Sequence, residues 1–346
     1  MSSINDYQAI EIELTSQCNI RCPGCARNVH GDTNPNLKLE TISYETFIKR
    51  IPQHVLKGKS ISFCGAFGEP LMHKDFIKIL EYIVDCGAKN IGIDTNGSLR
   101  TKEWWERLGK IQKTHVTFSV DGHKETNHLY RVRAKFDKII ENMKAFKKAG
   151  GNGTWKYIIF QHNQHEIDIA REEAKKLGLN FQTMINTRIP DKSWPTYKEI
   201  ESKTKVNHIA NKFIENKKNF VNSDLIEVMQ HKAPTPIKEK KIVCWMLNEL
   251  GLFLGFDGKV WPCCYFNSVY HEYTFLSADE QDSYTLEKNT GKYLHHLDNY
   301  YGKNWNSIYH KTWEQILEHD FYKNHLSETL KTNPLTTCIQ SCTKTV

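Results

Sequence analysis

The sequence predicts an α/β protein with a small second domain. Three observations carry this reading. From residue 8 to about 187, short β-rich runs alternate with amphipathic stretches, and the alternation gives six βα units around a parallel sheet. After residue 240 a hairpin signal opens a stretch that is polar and aromatic in character. The length of 346 residues allows one large domain, or a large one with a smaller partner.

The elements follow in order. Strands are expected at Ala9 to Leu14, Ser60 to Cys64, Asn90 to Thr95, Thr114 to Val120, Trp155 to Gln161 and Asn180 to Ile185. Phe76, Ile79, Leu80 and Ile83 recur at helical spacing before Gly87, a C-cap residue. Phe136, Ile139, Ile140, Met143 and Phe146 repeat the pattern before Gly150, as do Ile167, Ala170, Ala174 and Leu177 before Gly178. These stripes read as core-facing helix surfaces. The expected organisation is a βα domain over 1–187, a connecting segment over 188–240 and a small domain over 241–346. The connecting segment has prolines at 190, 195, 234 and 236 and one modest helical pattern from Ile209 to Phe220. Beyond it, Leu250 to Phe256 and Lys259 to Tyr265 flank Asp257-Gly258, a two-residue hairpin signal, and a helical stretch is expected near Trp313 to Phe321.

Composition excludes several classes. Hydrophobic residues at 39% and charged residues at 25% rule out disorder, collagen and a coiled-coil rod, and the mean hydropathy of −0.59 agrees. No apolar run approaches the roughly 20 residues that span a bilayer. The N-terminus lacks the basic and apolar regions of a secretory signal, so the expected compartment is the cytoplasm. The net charge of +7 is a small excess of 47 basic over 40 acidic residues spread along the chain, and runs such as Lys238 to Lys241 read as solvated surface, not as a nucleic-acid stripe.

In a reducing compartment the ten cysteines point to ligands, nucleophiles or buried apolar side chains in preference to disulfides. Cys18, Cys22 and Cys25 stand on one loop after the first strand. Three thiolates on a cubane cluster leave one iron open to a small molecule, whereas a structural zinc takes four ligands. The loop therefore reads as reactive, with a zinc knuckle that borrows His30 as the alternative. Cys64 and Cys86 sit in apolar surroundings and read as buried thiols.

Cys18-x3-Cys22-x2-Cys25 resembles the signature of the radical S-adenosylmethionine (AdoMet) superfamily. The resemblance implies an open, partial (β/α)6 barrel, with a [4Fe–4S] cluster on the three cysteines and AdoMet chelating its fourth iron. One-electron reduction then cleaves AdoMet to methionine and a 5′-deoxyadenosyl radical, which takes a hydrogen atom from substrate. Gly24 departs from the bulkier residue many members carry there. Gly68-Glu69-Pro70, after the second strand, resembles part of the family's GGEP-type motif and implies that Glu69 accepts from the AdoMet ammonium. Thr95-Asn96-Gly97 and Ser119-Val-Asp121-Gly122 resemble strand-end motifs of the AdoMet pocket. They imply Asn96 as a pocket residue, Ser119 on the methionyl carboxylate or ribose, and Asp121 nearby. Arg131 stands where relatives place a carboxylate-binding arginine, with Arg133 as its competitor. Asn163 is a further pocket candidate, with a helix N-cap as the alternative. These groups fall at the C-terminal ends of strands, where parallel barrels collect reacting residues.

Cys244-x13-Gly258-x4-Cys263 resembles the opening of the SPASM and twitch domains of the superfamily. With Cys338-x3-Cys342 it implies four ligands for one auxiliary [4Fe–4S] cluster, in the shorter twitch form; a zinc on the same cysteines is the alternative. Cys264 falls outside the four-ligand set and is a candidate hydrogen-atom donor, or else a buried apolar residue or alternative ligand.

The resemblance implies a radical enzyme acting on a peptide, protein or small molecule, with an external electron donor such as flavodoxin or ferredoxin. Peptide maturases often carry a leader-binding domain before the triplet; here the triplet begins at residue 18, so small-molecule oxidation stands beside peptide modification. The competing class is a non-catalytic iron–sulfur electron carrier or a zinc-stabilised nucleic-acid binder. An electron carrier needs neither Glu69 nor Ser119, and a nucleic-acid binder needs a concentrated basic face.

Overall fold

A computed structural model describes residues 3–29, 31–160, 162–185, 240–242, 244, 250–283, 290–332 and 334–345. His30, Gln161 and, but for Lys240, the expected connecting segment with its Ile209 to Phe220 pattern lie outside the described residues.

The principal strands are β1 (Ala9–Ile12), β2 (Ser60–Phe63), β3 (Asn90–Thr95), β4 (Thr114–Ser119), β5 (Asn152–Ile159), β6 (Asn180–Ile185), β7 (Gly251–Leu254) and β8 (Val260–Trp261). The helices that matter below are α1 (Phe76–Asp85), α2 (Lys102–Gly109), α3 (Phe136–Lys148), α4 (Ile167–Lys176), α5 (Cys264–Tyr273), α6 (Thr290–Tyr301), α7 (Trp313–Leu317) and α8 (Thr336–Cys342). All six expected strands form: β3 and β6 have the expected ends, and the other four differ by one to three residues at one end or both. The expected helical stripes fold as α1, α3 and α4, each ending two residues before its glycine.

The chain divides into two compact units. The first comprises Met1–Gln17, Pro35–Ile91 and Pro236–Val346. Its strands run in the order β8-β7-β1-β2. β1 pairs parallel with β2 (Ile10 opposite Ile61) and parallel with β7 (Ile10 opposite Leu252). α1 covers this unit's core with Phe76, Ile77, Ile79, Leu80 and Ile83, and Phe76 meets Phe63 of β2 edge to face at 5.0 Å.

The Asp257-Gly258 signal does mark a reversal, but the connection is longer than two residues. β7 and β8 pair antiparallel with Leu254 opposite Val260, so five residues join them, with Gly258 N–H donating to the Gly255 carbonyl at 2.9 Å. β7 is buried at all four positions, as in a strand covered on both faces of its sheet, and its other neighbour is β1. The arm expected to extend to Tyr265 stops at Trp261. Pro262 lacks an N–H for the ladder, and α5 begins at Cys264.

The second unit comprises Cys18–Asn34 and Gly92–Thr235. Its strands follow the order β3-β4-β5-β6, with β4–β5 and β5–β6 parallel and in register from His115 opposite Asn152 to Ile159 opposite Ile185. Trp105 of α2, Phe118 of β4 and Phe146 of α3 are fully buried, with ring centroids 5.3 to 6.1 Å apart. Each such side chain contributes roughly 1.5–3 kcal/mol by burial alone, which fixes the end of β4 where Ser119 to Gly122 begin. A short antiparallel ribbon, Asn28–Val29 against Asp32–Thr33, follows the cysteine loop and had no counterpart in the sequence reading.

Candidate active site

The cysteine loop is built by local hydrogen bonds within the second unit. Cys25 N–H donates to the Cys22 carbonyl at 3.2 Å, Asn28 Nδ2 donates to the same carbonyl at 3.0 Å, and Asn28 N–H donates to the Cys25 carbonyl at 2.9 Å. Cys22 is buried, and Cys18 and Cys25 are half-buried. Burial pushes the Cys22 thiol up to about 12; Arg131 opposes that rise, while the nearby Cys25, Cys18 and Asp121 add to it. Three thiols close enough to feel one another, one of them deep in the protein, fit a group that binds thiolates and displaces their protons.

Asn96 ties this loop to the end of β3. Its Nδ2 donates to Asn19 Oδ1 at 2.9 Å, its Oδ1 accepts from Ser98 Oγ at 2.6 Å, and Asn19 Nδ2 donates to Ser98 Oγ at 2.9 Å. Asn19 and Ser98 were missed by sequence reasoning; their only signal is adjacency to Cys18 and to Asn96-Gly97.

The end of β4 carries a buried charged centre. Asp121 is fully buried; its Oδ1 accepts from Ile158 N–H at 2.7 Å and its Oδ2 from Arg131 Nε at 2.6 Å. Arg131 Nη1 donates to Cys22 Sγ at 3.7 Å, and the guanidinium lies 5.6 Å from the Tyr130 ring centroid. Arg133, the competitor, is exposed, so the structure separates the two. Gly122 at φ 139° admits no side chain, since a Cβ there would stand 2.6 Å from Asn127 N. Asn163 is fully buried and its polar atoms serve the protein: Nδ2 donates to the Asp121 carbonyl at 3.1 Å and to the Ile158 carbonyl at 2.9 Å, while Oδ1 accepts from Phe160 N–H at 2.7 Å. It supports the turn after β5, and its side chain does not cap a helix. Ser119 is half-buried at the end of β4, opposite Lys156.

In the first unit, Glu69 is buried and its Oε1 accepts from Leu71 N–H at 3.2 Å, capping the turn at Pro70–Met72. Gly68 matters for a closer reason than ligand approach: a Cβ there would lie 1.6 Å from the Thr15 carbonyl oxygen. Beneath this loop is a residue that sequence reasoning missed, Glu13. It is buried at the end of β1, with Oε1 accepting from Phe67 N–H at 2.7 Å and from Gly68 N–H at 2.9 Å. Desolvation by burial pushes its carboxyl up to about 8 despite those two donors.

The same unit gathers the C-terminal cysteines. Lys240–Ile242 pairs antiparallel with Thr343–Thr345, Ile242 opposite Thr343, and this ribbon brings Cys244 beside Cys342. Cys244, Cys263, Cys338 and Cys342 line one cavity together with Tyr265 and Phe266; Cys264 is not among its lining residues. Burial raises Cys263 to about 12, against donors from the Phe266 and Tyr265 N–H groups at the start of α5, and raises Cys338 to about 12. Cys264 opens α5, and burial holds its thiol well above the ordinary range. Cys86 is buried as expected, whereas Cys64 is half-buried at the end of β2. Among the described residues no three His, Cys, Asp or Glu side chains converge as they would around a single metal ion.

Parallel βα units with a three-cysteine loop after the first strand are the arrangement that the cysteine motif led one to expect. Residues 12–172 match the family model of the radical SAM superfamily. It is 30% identical over 176 residues to the AdoMet-dependent heme synthase of Methanosarcina barkeri, covering 50% of this chain and 49% of that protein. Identity to the GTP 3′,8-cyclase of Nautilia profundicola is 27% over 215 residues, 60% of this chain and 64% of the relative. The chain thus spans less than two thirds of either relative. The solved structure of native anSMEcpe with bound AdoMet and Kp18Cys peptide aligns at a TM-score of 0.50 and 17% identity, over 91% of this chain and 81% of that one, a likeness of fold.

Proposed function

We propose that this radical SAM enzyme binds a [4Fe–4S] cluster through Cys18, Cys22 and Cys25 and abstracts a hydrogen atom from a C–H bond of a peptide, protein or small molecule. The observation that carries the reading is the cysteine loop itself: Cys22 is buried with Arg131 Nη1 3.7 Å from its sulfur, and Cys18 and Cys25 are near enough to raise its thiol. When bound, the cluster passes one electron from an external donor into AdoMet and so supplies the 5′-deoxyadenosyl radical.

The chain's own residues then have distinct tasks. Asn96, through Asn19 and Ser98, holds the first cysteine's neighbour against the end of β3. Asn163 and Asp121 fix the turns after β5 and β4. Glu69 is the proposed acceptor for the AdoMet ammonium and Ser119 the proposed contact to its carboxylate or ribose. Both assignments rest on the motif resemblance. A second cluster is proposed on Cys244, Cys263, Cys338 and Cys342, supported by their shared cavity and by the ribbon beside Cys244 and Cys342. A cluster held by these four cysteines would supply a sink for one electron or a fixed point that orients the substrate. The relative solved with a peptide supports a peptide substrate through its fold alone.

Iron and labile-sulfide content after anaerobic reconstitution tests the cofactor reading. About eight irons per chain are expected, four at each site. Zinc at the triplet, with no iron retained, would contradict it.

A further inference from the structure

The sequence motif assigns Arg131 to the AdoMet carboxylate, yet its guanidinium is committed inside the protein. Nε is bound to Asp121 at 2.6 Å and Nη1 reaches Cys22 Sγ at 3.7 Å, with the side chain only 15% exposed and Asp121 fully buried. Asp121 in turn cannot swing away: Oδ1 is held by Ile158 N–H, its carbonyl by Asn163, and its N–H donates to Asn127 Oδ1 at 3.1 Å. Tyr130 packs on the guanidinium face. This is a clamped cation aimed at one particular sulfur.

We propose that Arg131, oriented by Asp121, sets the reduction potential of the cluster held by Cys18, Cys22 and Cys25. The proposal rests on the cluster reading given above. Reduction adds one negative charge that spreads onto the sulfurs. A cation that hydrogen-bonds a ligand sulfur stabilises the reduced form more than the oxidised form and raises the potential. Asp121 tempers this effect, because a carboxylate beside the guanidinium cancels part of its field. Arg131 is therefore a positioning and tuning residue, and Asp121 is its counterweight.

The test is an anaerobic redox titration of the reconstituted full chain, followed by electron paramagnetic resonance and carried out without AdoMet. The relevant signal is the one whose line shape changes when AdoMet is added afterwards. Arg131→Gln should move its midpoint to lower potential, and Arg131→Lys, which keeps charge but loses the planar fork, should move it less. Asp121→Asn should move it the other way. Opposite signs from the two partners would not arise from a merely structural role, and a carboxylate-binding arginine has nothing to bind in this assay. A midpoint unchanged in Arg131→Gln, at full iron content, would overturn the proposal while leaving the cluster reading intact. A wild-type chain that assembles no cluster at the triplet, seen from its iron content, would overturn both.

Discussion

Asn267 Nδ2 donates to Glu13 Oε2 at 3.1 Å, joining α5, three residues after Cys264, to the end of β1. The other oxygen of the same carboxyl holds the loop that leads to Glu69. One buried side chain thus links the N-terminal strand, the Gly-Glu-Pro loop and the helix that starts at the auxiliary cysteines, all within the first unit.

That carboxyl makes stability depend on pH. Its folded pKa, about 8, lies above its ordinary value of 4.5, so between those values the folded state holds a proton that the unfolded chain releases. Its contribution is full below the ordinary value and is lost as pH rises through about 8, on the order of a few kcal/mol in all. Melting temperature measured from pH 5 to pH 9 should fall in the wild type more steeply than in Glu13→Gln, whose amide keeps an acceptor for Phe67 and Gly68. Parallel curves would remove Glu13 from this role.

Glu69→Gln retains an oxygen to cap Leu71 N–H and removes the negative charge. AdoMet affinity, read by equilibrium dialysis, should drop about tenfold or more, the loss of a charge-assisted contact of roughly 1.5–3 kcal/mol, with iron content unchanged. An unchanged dissociation constant would confine Glu69 to capping its own turn.

Cys342→Ser removes one wall of the C-terminal cavity without touching the triplet. The variant should lose about four irons of eight and still cleave AdoMet, while turnover of substrate stops. Full iron retention would show that these four cysteines do not share a cluster.

Much of this was legible in the sequence, and the rest was hidden for identifiable reasons. The triplet, the strand-end motifs and the amphipathic helices are local patterns, and they folded where spacing put them. Glu13 was invisible because Glu11 and Glu13 alternate as on a solvent-facing strand, and what covers Glu13 is Asn267, 254 residues away. β7 looked like an isolated hairpin arm because its second partner, β1, lies at the other end of the chain. Arg131 and Arg133 could not be told apart from spacing; the structure buries Arg131 against Asp121 and leaves Arg133 exposed.

Cys264 does not line the cavity of the four cysteines, and burial favours its protonated thiol, the form that carries a transferable hydrogen atom. If it is the donor, Cys264→Ala stops product release while both clusters and 5′-deoxyadenosine production persist, and wild-type product formed in deuterium oxide carries deuterium at carbon. Deuterium-free product with full activity in the alanine variant would reduce Cys264 to a packing residue.

The central claim is that the loop of Cys18, Cys22 and Cys25 makes this chain a reductive cleaver of AdoMet. The most direct measurement is 5′-deoxyadenosine, quantified chromatographically after reconstituted, dithionite-reduced protein is incubated anaerobically with AdoMet. The wild type should form it, and the variant with all three cysteines changed to alanine should form none while keeping about four irons at the second site. Equal 5′-deoxyadenosine from both proteins would contradict the account.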